Sequence, residues 1–265
     1  MDFTEVFSPV CNDVTFRLVI VLMIALKLDA LIFDVTTAFL TGYLEEELYM
    51  ECPEGMDHEE DEVLLLQKTI YGLVQASRQY NKKFTSVLIA MGFEQSKADQ
   101  CLYYKKSDKG IVIVLTYVDD NLCVGHRAAL EDVTREIVKH GLQITVENEL
   151  TDYLSCEIKL NEDRTKGWIG QPHMITKIEK TFGDEVNKRQ KYRTAGTPGL
   201  GLVKVQEEKD KISKELQSRY QTGVGMLLFL IKHSRPDLCN AVRELSKCLD
   251  GSMVLAEQHT RKCYG

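Results

Sequence analysis

Two adjacent carboxylates, Asp119 and Asp120, interrupt one of the most apolar stretches of the chain. Residues 111–115 are all Ile, Val or Leu. Thr116, Tyr117 and Val118 follow, and Leu122, Cys123 and Val124 resume the apolar pattern after Asn121. β-Branched and aromatic residues bounded by Gly110 and Gly125 predict two buried strands. Asp119-Asp120-Asn121 separates them as a tight hairpin turn, built from residues that tolerate such turns. Two carboxylates at the tip of a buried hairpin repel each other and lose hydration. A cation relieves both costs, and hard, oxygen-seeking Mg2+ suits carboxylates best. A solvated Asp-Asp turn is the plainer reading of the same residues. A metal pair that holds a transferring phosphoryl group also needs a carboxylate from a neighbouring strand. Asp34 can supply it. It ends an apolar run over 28–35 and precedes Thr36, Thr37, Ala38 and Phe39, a place where it could equally cap a short helix.

The elements around these residues follow from periodicity and breakers. Thr15 predicts an N-cap for a helix running to Lys27, and 28–35 a strand. Residues 36–40 turn or form a short helix that stops near Gly42. An acidic stretch comes next, then a short apolar run over 63–67. Leu73, Phe84, Val87, Leu88 and Met91 mark one face of a long helical segment from Gly72 to Met91, closed by Gly92. A strand over 102–105 leads into the hairpin, and 127–140 alternates charge and apolar residues at helical spacing. A strand pair over 153–160 and 167–170 and a helix over 172–182 follow. Residues 183–211, with Gly196, Pro198, Gly199 and Gly201, read as a linker. Helices over 213–232 and 236–249 and a last helical fragment complete the chain, with Pro236 at a first helical position.

The totals bound what this chain can be. Its 265 residues can bury a large core, and 44% hydrophobic with 28% charged residues is ordinary for a globular protein. No apolar run approaches the length of a membrane span, and residues 18–26, the nearest approach, lie between Arg17 and Lys27. The amino terminus has no basic start of a signal peptide. Eight cysteines without metal-type spacing point to scattered thiols of an intracellular protein. A net charge of −7 argues against a generic nucleic-acid coat. Charge is uneven, however: ten Asp or Glu and no Lys or Arg lie between Glu45 and Glu62, whereas basic residues prevail over 164–193. Such runs are usually solvated faces.

A strand ending on Asp, a long helix, then a strand hairpin carrying Asp-Asp is the palm order of template-dependent polymerases. The blocks along the chain resemble the reverse transcriptase domain of copia-type LTR-retrotransposon Gag-Pol polyproteins. These are Phe7-Ser8-Pro9-Val10 with Arg17, Asp34-Val35-Thr36-Thr37-Ala38-Phe39-Leu40 with Gly42, and the acidic segment from Leu44 to Met50 with Pro53-Glu54-Gly55. Tyr71-Gly72-Leu73-Val74-Gln75 with Arg78-Gln79-Tyr80 comes next, then Gly92-Phe93, Ser96, Asp99 and Cys101-Leu102-Tyr103. Tyr117-Val118-Asp119-Asp120 is the catalytic box, followed by Tyr153-Leu154, Glu157-Ile158, Thr197-Pro198, Gly225 and Arg235-Pro236-Asp237. The box alone is weak; the whole series in family order is specific.

The resemblance implies an α+β fold: a polymerase palm, with an antiparallel sheet and helices on one face, partial fingers, and a helical thumb. The corresponding boundaries are 1–182 for fingers remnant and palm, 183–211 for the linker and 212–265 for an incomplete thumb. It implies RNA-directed DNA polymerase activity with an RNA template, a DNA primer, dNTPs and two Mg2+ ions, or Mn2+ in their place. Asp34 and Asp119 would ligate the ions with the Val35 carbonyl, and Asp120 would tune the field. Thr37, Ala38 and Gln75 would meet the dNTP. Phe39 would stand at the steric-gate position, or simply pack in the core. Arg78, Tyr117, Val118, Tyr153 and Leu154 would face template and primer, Arg78 being open also to a surface salt bridge.

Three positions depart from the family pattern: Thr36 for the commonest Lys, Ser77 for Pro, and Leu154-Ser155 for Leu-Gly. The family also carries an upstream basic fingers segment, so the chain reads as truncated at both ends, without the polyprotein's ribonuclease H, integrase or protease. The resemblance places a full-length element in cytoplasmic virus-like particles or the nucleus, with no membrane partner. An inactive retroelement fragment and a two-metal nuclease remain as other readings.

Overall fold

The structure, a computed structural model, describes residues 8–59, 61–150, 153–187, 195 and 212–250. The chain divides into two compact units, 1–154 with 159–167 and 155–158 with 168–265.

The first unit is built on a six-stranded sheet. Its strands are β1 (Asp29–Val35), β4 (Glu94–Gln95), β5 (Leu102–Ser107), β6 (Gly110–Tyr117), β7 (Asp120–Gly125) and β8 (Ile144–Glu147). They lie in the order β4-β5-β6-β7-β1-β8, with every neighbouring pair antiparallel. The apolar runs that announced β6 and β7 carry both faces of the sheet, which is why they do not alternate with polar residues. On one face Leu31, Phe33, Val35, Val112, Val114 and Cys123 pack against two helices, α2 (Ala76–Ala90) and α3 (Arg127–Lys139). These bring in Tyr80, Phe84, Val87 and Leu88, and Ala129, Leu130, Val133 and Ile137.

The alternate residues Ile113, Leu115, Leu122 and Val124 are equally buried. Helix α1 (Asp13–Ala25) packs against β6 and β7 with Phe16, Val19, Ile20 and Met23 inward. The mixed α+β class and the antiparallel sheet are therefore as expected, but the helices are not confined to one face.

Local chemistry sets the helix ends. Asn12 caps α1, its side-chain oxygen accepting from the Val14 amide at 3.0 Å, so the helix starts before Thr15. Helix α2 begins at Ala76 because Gly72, at φ +98°, and the turns after it occupy the preceding residues. Its far end stops at Gly92, whose φ of +84° suits a residue without a Cβ. Much of the acidic stretch lies in sequence between the strands of a separate ribbon, β2 (Tyr49–Glu51) with β3 (Val63–Leu65).

β9 (Glu157–Leu160) pairs with β10 (Gly167–Gly170) in a second two-stranded sheet. The second unit holds α4 (Pro172–Asn187), α5 (Lys214–His233) and α6 (Cys239–Ser246). Within it, Ser234 donates to Gln171 at 2.6 Å and Tyr220 donates to the Leu245 carbonyl at 2.6 Å. The Arg219 guanidinium stands 5.0 Å from the Phe182 ring centre. α4 continues five residues past its expected end at 182. Most of the expected linker and the last helical fragment lie outside the described residues. Among those described, no disulfide joins the cysteines and no helix is long and apolar enough to cross a membrane.

Leu88 is fully buried between α2 and the sheet. Leu88→Ala should cost about 2–5 kcal/mol in urea unfolding, whereas exposed Val21→Ala should stay within about 0.5 kcal/mol.

Candidate active site at the hairpin tip

The β6–β7 ladder closes with Tyr117 opposite Asp120. The turn is therefore Val118-Asp119, not Asp119-Asp120-Asn121, and Asp120 and Asn121 belong to β7. Val118 has φ +58°. Positive φ at the first of two turn residues is where such turns normally place glycine. A β-branched residue there is strained, and strain of this kind gathers at functional sites.

β1 brings the third carboxylate to the same place. Its register against β7 sets Asp34 directly opposite Asp120, after Ile32 opposite Leu122. Directly opposed residues of antiparallel strands have Cβ atoms about 4.5–5.5 Å apart. Asp34 lies within β1, while Thr37, at φ +54°, precedes the 3-10 turn Ala38–Leu40; Asp34 is not a helix cap.

Charge is crowded at this strand end. Partial burial, then Asp119, then Glu147 of β8 push the Asp34 pKa above its ordinary 3.8. Asp34 itself is exposed, and Asp119 and Asp120 are half-buried, so the carboxylates remain reachable from solvent. Among the described residues no group of three or more His, Cys, Asp or Glu side chains is gathered as a metal site. The donor set at the tip is nonetheless hard carboxylate oxygen from adjacent strands, and its mutual repulsion is the cost that a divalent cation relieves. Asp34 and Asp119 fit such an ion by chemistry.

The remaining candidate residues are placed as follows. Val35 is buried, its strand position paired with Ile144. Thr37 donates to the Thr36 carbonyl at 2.7 Å. Thr36 and Thr37 open on a cleft of ≈ 390 Å³ lined also by Tyr43, Lys68, Lys83 and His140. Ala38 is buried, and Phe39 is half-buried, edge-on to Tyr71 and Tyr80 at centroid separations of 5.5 and 6.3 Å. The Thr69 hydroxyl donates to the Phe39 carbonyl and so pins that ring's backbone. Gln75 is buried at the start of α2. Arg78 stands 3.8 Å from Glu45, which Lys82 holds more closely at 2.7 Å. Tyr117 is half-buried and bridged to Val10. Tyr153 is fully buried, donating to the Leu115 carbonyl at 3.1 Å and lying 5.6 Å from the Phe16 ring. It anchors its segment from inside, with no surface for a nucleic-acid strand to touch. Leu154 and Ser155 follow with φ of +55° and +58°.

Two residues behind the tip were not singled out as site residues by their sequence positions. Asn121, read as part of the turn, is fully buried, and its Nδ2 donates to the carbonyls of Phe33 and Asp119 at 3.3 and 2.6 Å. Tyr80 lies beside it, its pKa raised first by burial and further by the charges of Asp119 and Asp34. A polar side chain in a strand with one turn-like neighbour gives no sign of which way it points; only the register does.

Residues 1–190 match the model of a protein family described as reverse transcriptase (RNA-dependent DNA polymerase). The chain is 31% identical over 261 residues to a retrovirus-related Pol polyprotein from transposon TNT 1-94 of Nicotiana tabacum, covering 94% of this chain and 19% of that one. It is 29% identical to the corresponding polyprotein from transposon RE2 of Arabidopsis thaliana, over 93% of this chain and 16% of the other. A truncated transposon Ty1-A Gag-Pol polyprotein of Saccharomyces cerevisiae is 26% identical, over 81% of this chain and 18% of its own length. The chain thus spans less than a fifth of these relatives.

Two outcomes follow from the tip's geometry. Val118→Gly should stabilise the fold by about 0.5–1 kcal/mol in chemical unfolding, since the left-handed penalty removed exceeds the added chain entropy. Asp34 has a folded pKa above its unfolded value, so it weakens the fold progressively as pH rises through that window, and the full penalty is present at neutrality. Asp34→Asn should therefore melt at a higher temperature than wild type at pH 7 in chelator, with the gain fading toward pH 4. An equal or lower midpoint at pH 7 would contradict the crowding.

Proposed function

The chain belongs to the reverse transcriptase (RNA-dependent DNA polymerase) family, and from that membership we propose that this domain extends a DNA primer along an RNA template by two-metal nucleotidyl transfer. The observation that carries the reading is Asp34 in register with Asp120, beside the strained turn that presents Asp119. Asp34 and Asp119 hold the divalent cations, Mg2+ or Mn2+, with the Val35 carbonyl as a further oxygen. Asp120 shapes the local field. Bound there, the ions supply a more acidic primer 3′-hydroxyl and neutralise charge on the triphosphate and leaving pyrophosphate.

The protein's own residues bind and orient. The cleft beside Thr36 and Thr37 offers Lys68, Lys83 and His140 to phosphate oxygens, and no carboxylate is among its lining residues. Phe39, held edge-on by Tyr71 and Tyr80, presents a ring at the sugar and favours dNTP over rNTP. Gln75, buried at the start of α2, backs the dNTP site, and Arg78, Tyr117, Val118 and Leu154 frame template and primer. The six-stranded sheet with α2 and α3 serves as palm, the β2–β3 ribbon belongs to the fingers, and α5 and α6 form the thumb. In a full-length element this domain works alongside ribonuclease H and integrase, inside the cell.

Primer extension on poly(rA) with an oligo(dT) primer, dTTP and Mg2+ tests the reading. Asp119→Asn should lower the rate by about three or more orders of magnitude. Equal rates in both proteins overturn the assignment. Primer–template binding without extension would reduce the domain to a nucleic-acid-binding fold, and strand cleavage without dNTP would make it a nuclease.

A further inference from the structure

Asn121 is polar, fully buried, and on the face of the sheet that packs against α2 and α3. An amide there costs several kcal/mol in an apolar environment unless its hydrogen bonds are made. Its Nδ2 makes two, to the Phe33 carbonyl at 3.3 Å and to the Asp119 carbonyl at 2.6 Å. Each acceptor belongs to a particular peptide. The Phe33 carbonyl is in the peptide that joins Phe33 to Asp34; the Asp119 carbonyl is in the peptide that joins Asp119 to Asp120. One side chain therefore ties together the two peptides that carry all three carboxylates, from the side opposite Asp34 and Asp120.

The two carbonyls also fix the amide's orientation, because only its nitrogen can face them. The oxygen must face elsewhere, and Oδ1 has no hydrogen-bond partner among the described residues. The same holds for the buried Tyr80 hydroxyl, which interacts with the Asn121 side chain. Burial raises the Tyr80 pKa and the neighbouring Asn121 amide partly offsets it, so the two side chains lie together behind the tip. Tyr80 is itself locked in the core by stacking on Phe84 at 5.8 Å.

From this the geometry points to Asn121 as a positioning residue: a clamp, backed by Tyr80, that sets the separation of Asp34 from Asp119 and Asp120 against their mutual repulsion and so sets affinity for the divalent cations. The inference rests on the polymerase reading for its consequence in catalysis, but not for the clamp itself. Without the clamp the charged strand ends are free to splay. Groups that hold metal ligands from behind typically change metal affinity or activity by about 10–100-fold when removed.

Asn121→Leu keeps the size and removes the donors. It should raise the Mg2+ concentration for half-maximal extension about tenfold and weaken the Mg2+-induced rise in melting temperature without substrate, while KM for dTTP stays within about twofold. Amide hydrogen exchange at Asp34 and Asp120 should quicken about tenfold in the absence of metal. Tyr80→Phe should shift Mg2+ dependence in the same direction by a smaller factor, and the double variant should be no worse than Asn121→Leu, since both act through one contact. If Asn121→Leu fails to fold, the Tyr80→Phe shift decides. Unchanged Mg2+ dependence together with unchanged exchange at the tip overturns the clamp. A wild type that neither extends primers nor responds to Mg2+ overturns the polymerase reading, and the exchange comparison then still decides the clamp.

Discussion

Like charges are forced together where β1 and β7 run out side by side, and the rest of the first unit can be understood as the apparatus that holds them there. The register that sets Ile32 opposite Leu122 also sets Asp34 opposite Asp120. Two residues further back the pairs are wholly apolar and buried, so the ladder cannot slip to separate the charges without turning its core side chains outward. Burial of one end thus sustains repulsion at the other. Partial burial first, then the charges of Asp119 and Glu147, raise the pKa of Asp34 at this strand end.

The turn adds a second cost. Val118 occupies a conformation that glycine would adopt freely. With a valine at the first turn position, Asp119 is presented at the end of a stiff connection rather than on a pliable loop. The sheet supports this by being covered on both sides: α2 and α3 on one face, α1 on the other. Strain and like-charge contact are both local and small beside the apolar surface these helices bury.

A net charge of −7 and a role with nucleic acid are compatible because charge is partitioned by place. Carboxylates collect on the β2–β3 ribbon and at the tip, while Lys68, Lys83 and His140 meet around the cleft beside Thr36 and Thr37. Over distances beyond about a Debye length such patches act separately, so the local sign rather than the total decides what approaches.

The sequence by itself determined the family, through blocks in a fixed order, and with it the α+β class. It also determined the strand pair 110–125, because uninterrupted Ile, Val and Leu between two glycines leave few alternatives to buried strands. It singled out Asp34, Asp119 and Asp120 as candidates by type and context. It set the turn at 119–121 rather than 118–119, since Asp-Asp-Asn is the better turn composition and nothing local reveals that Val118 accepts a positive φ. The resemblance set Tyr153 against template and primer, but an amphipathic phenol serves equally well inside, and packing on Phe16 with a bond to the Leu115 carbonyl makes it a core anchor. The tertiary structure alone decided that Asn121 points inward and reaches β1 and the turn at once. A strand fixes which residues alternate, but both faces of this sheet are covered, and which helices each face meets is set by tertiary packing.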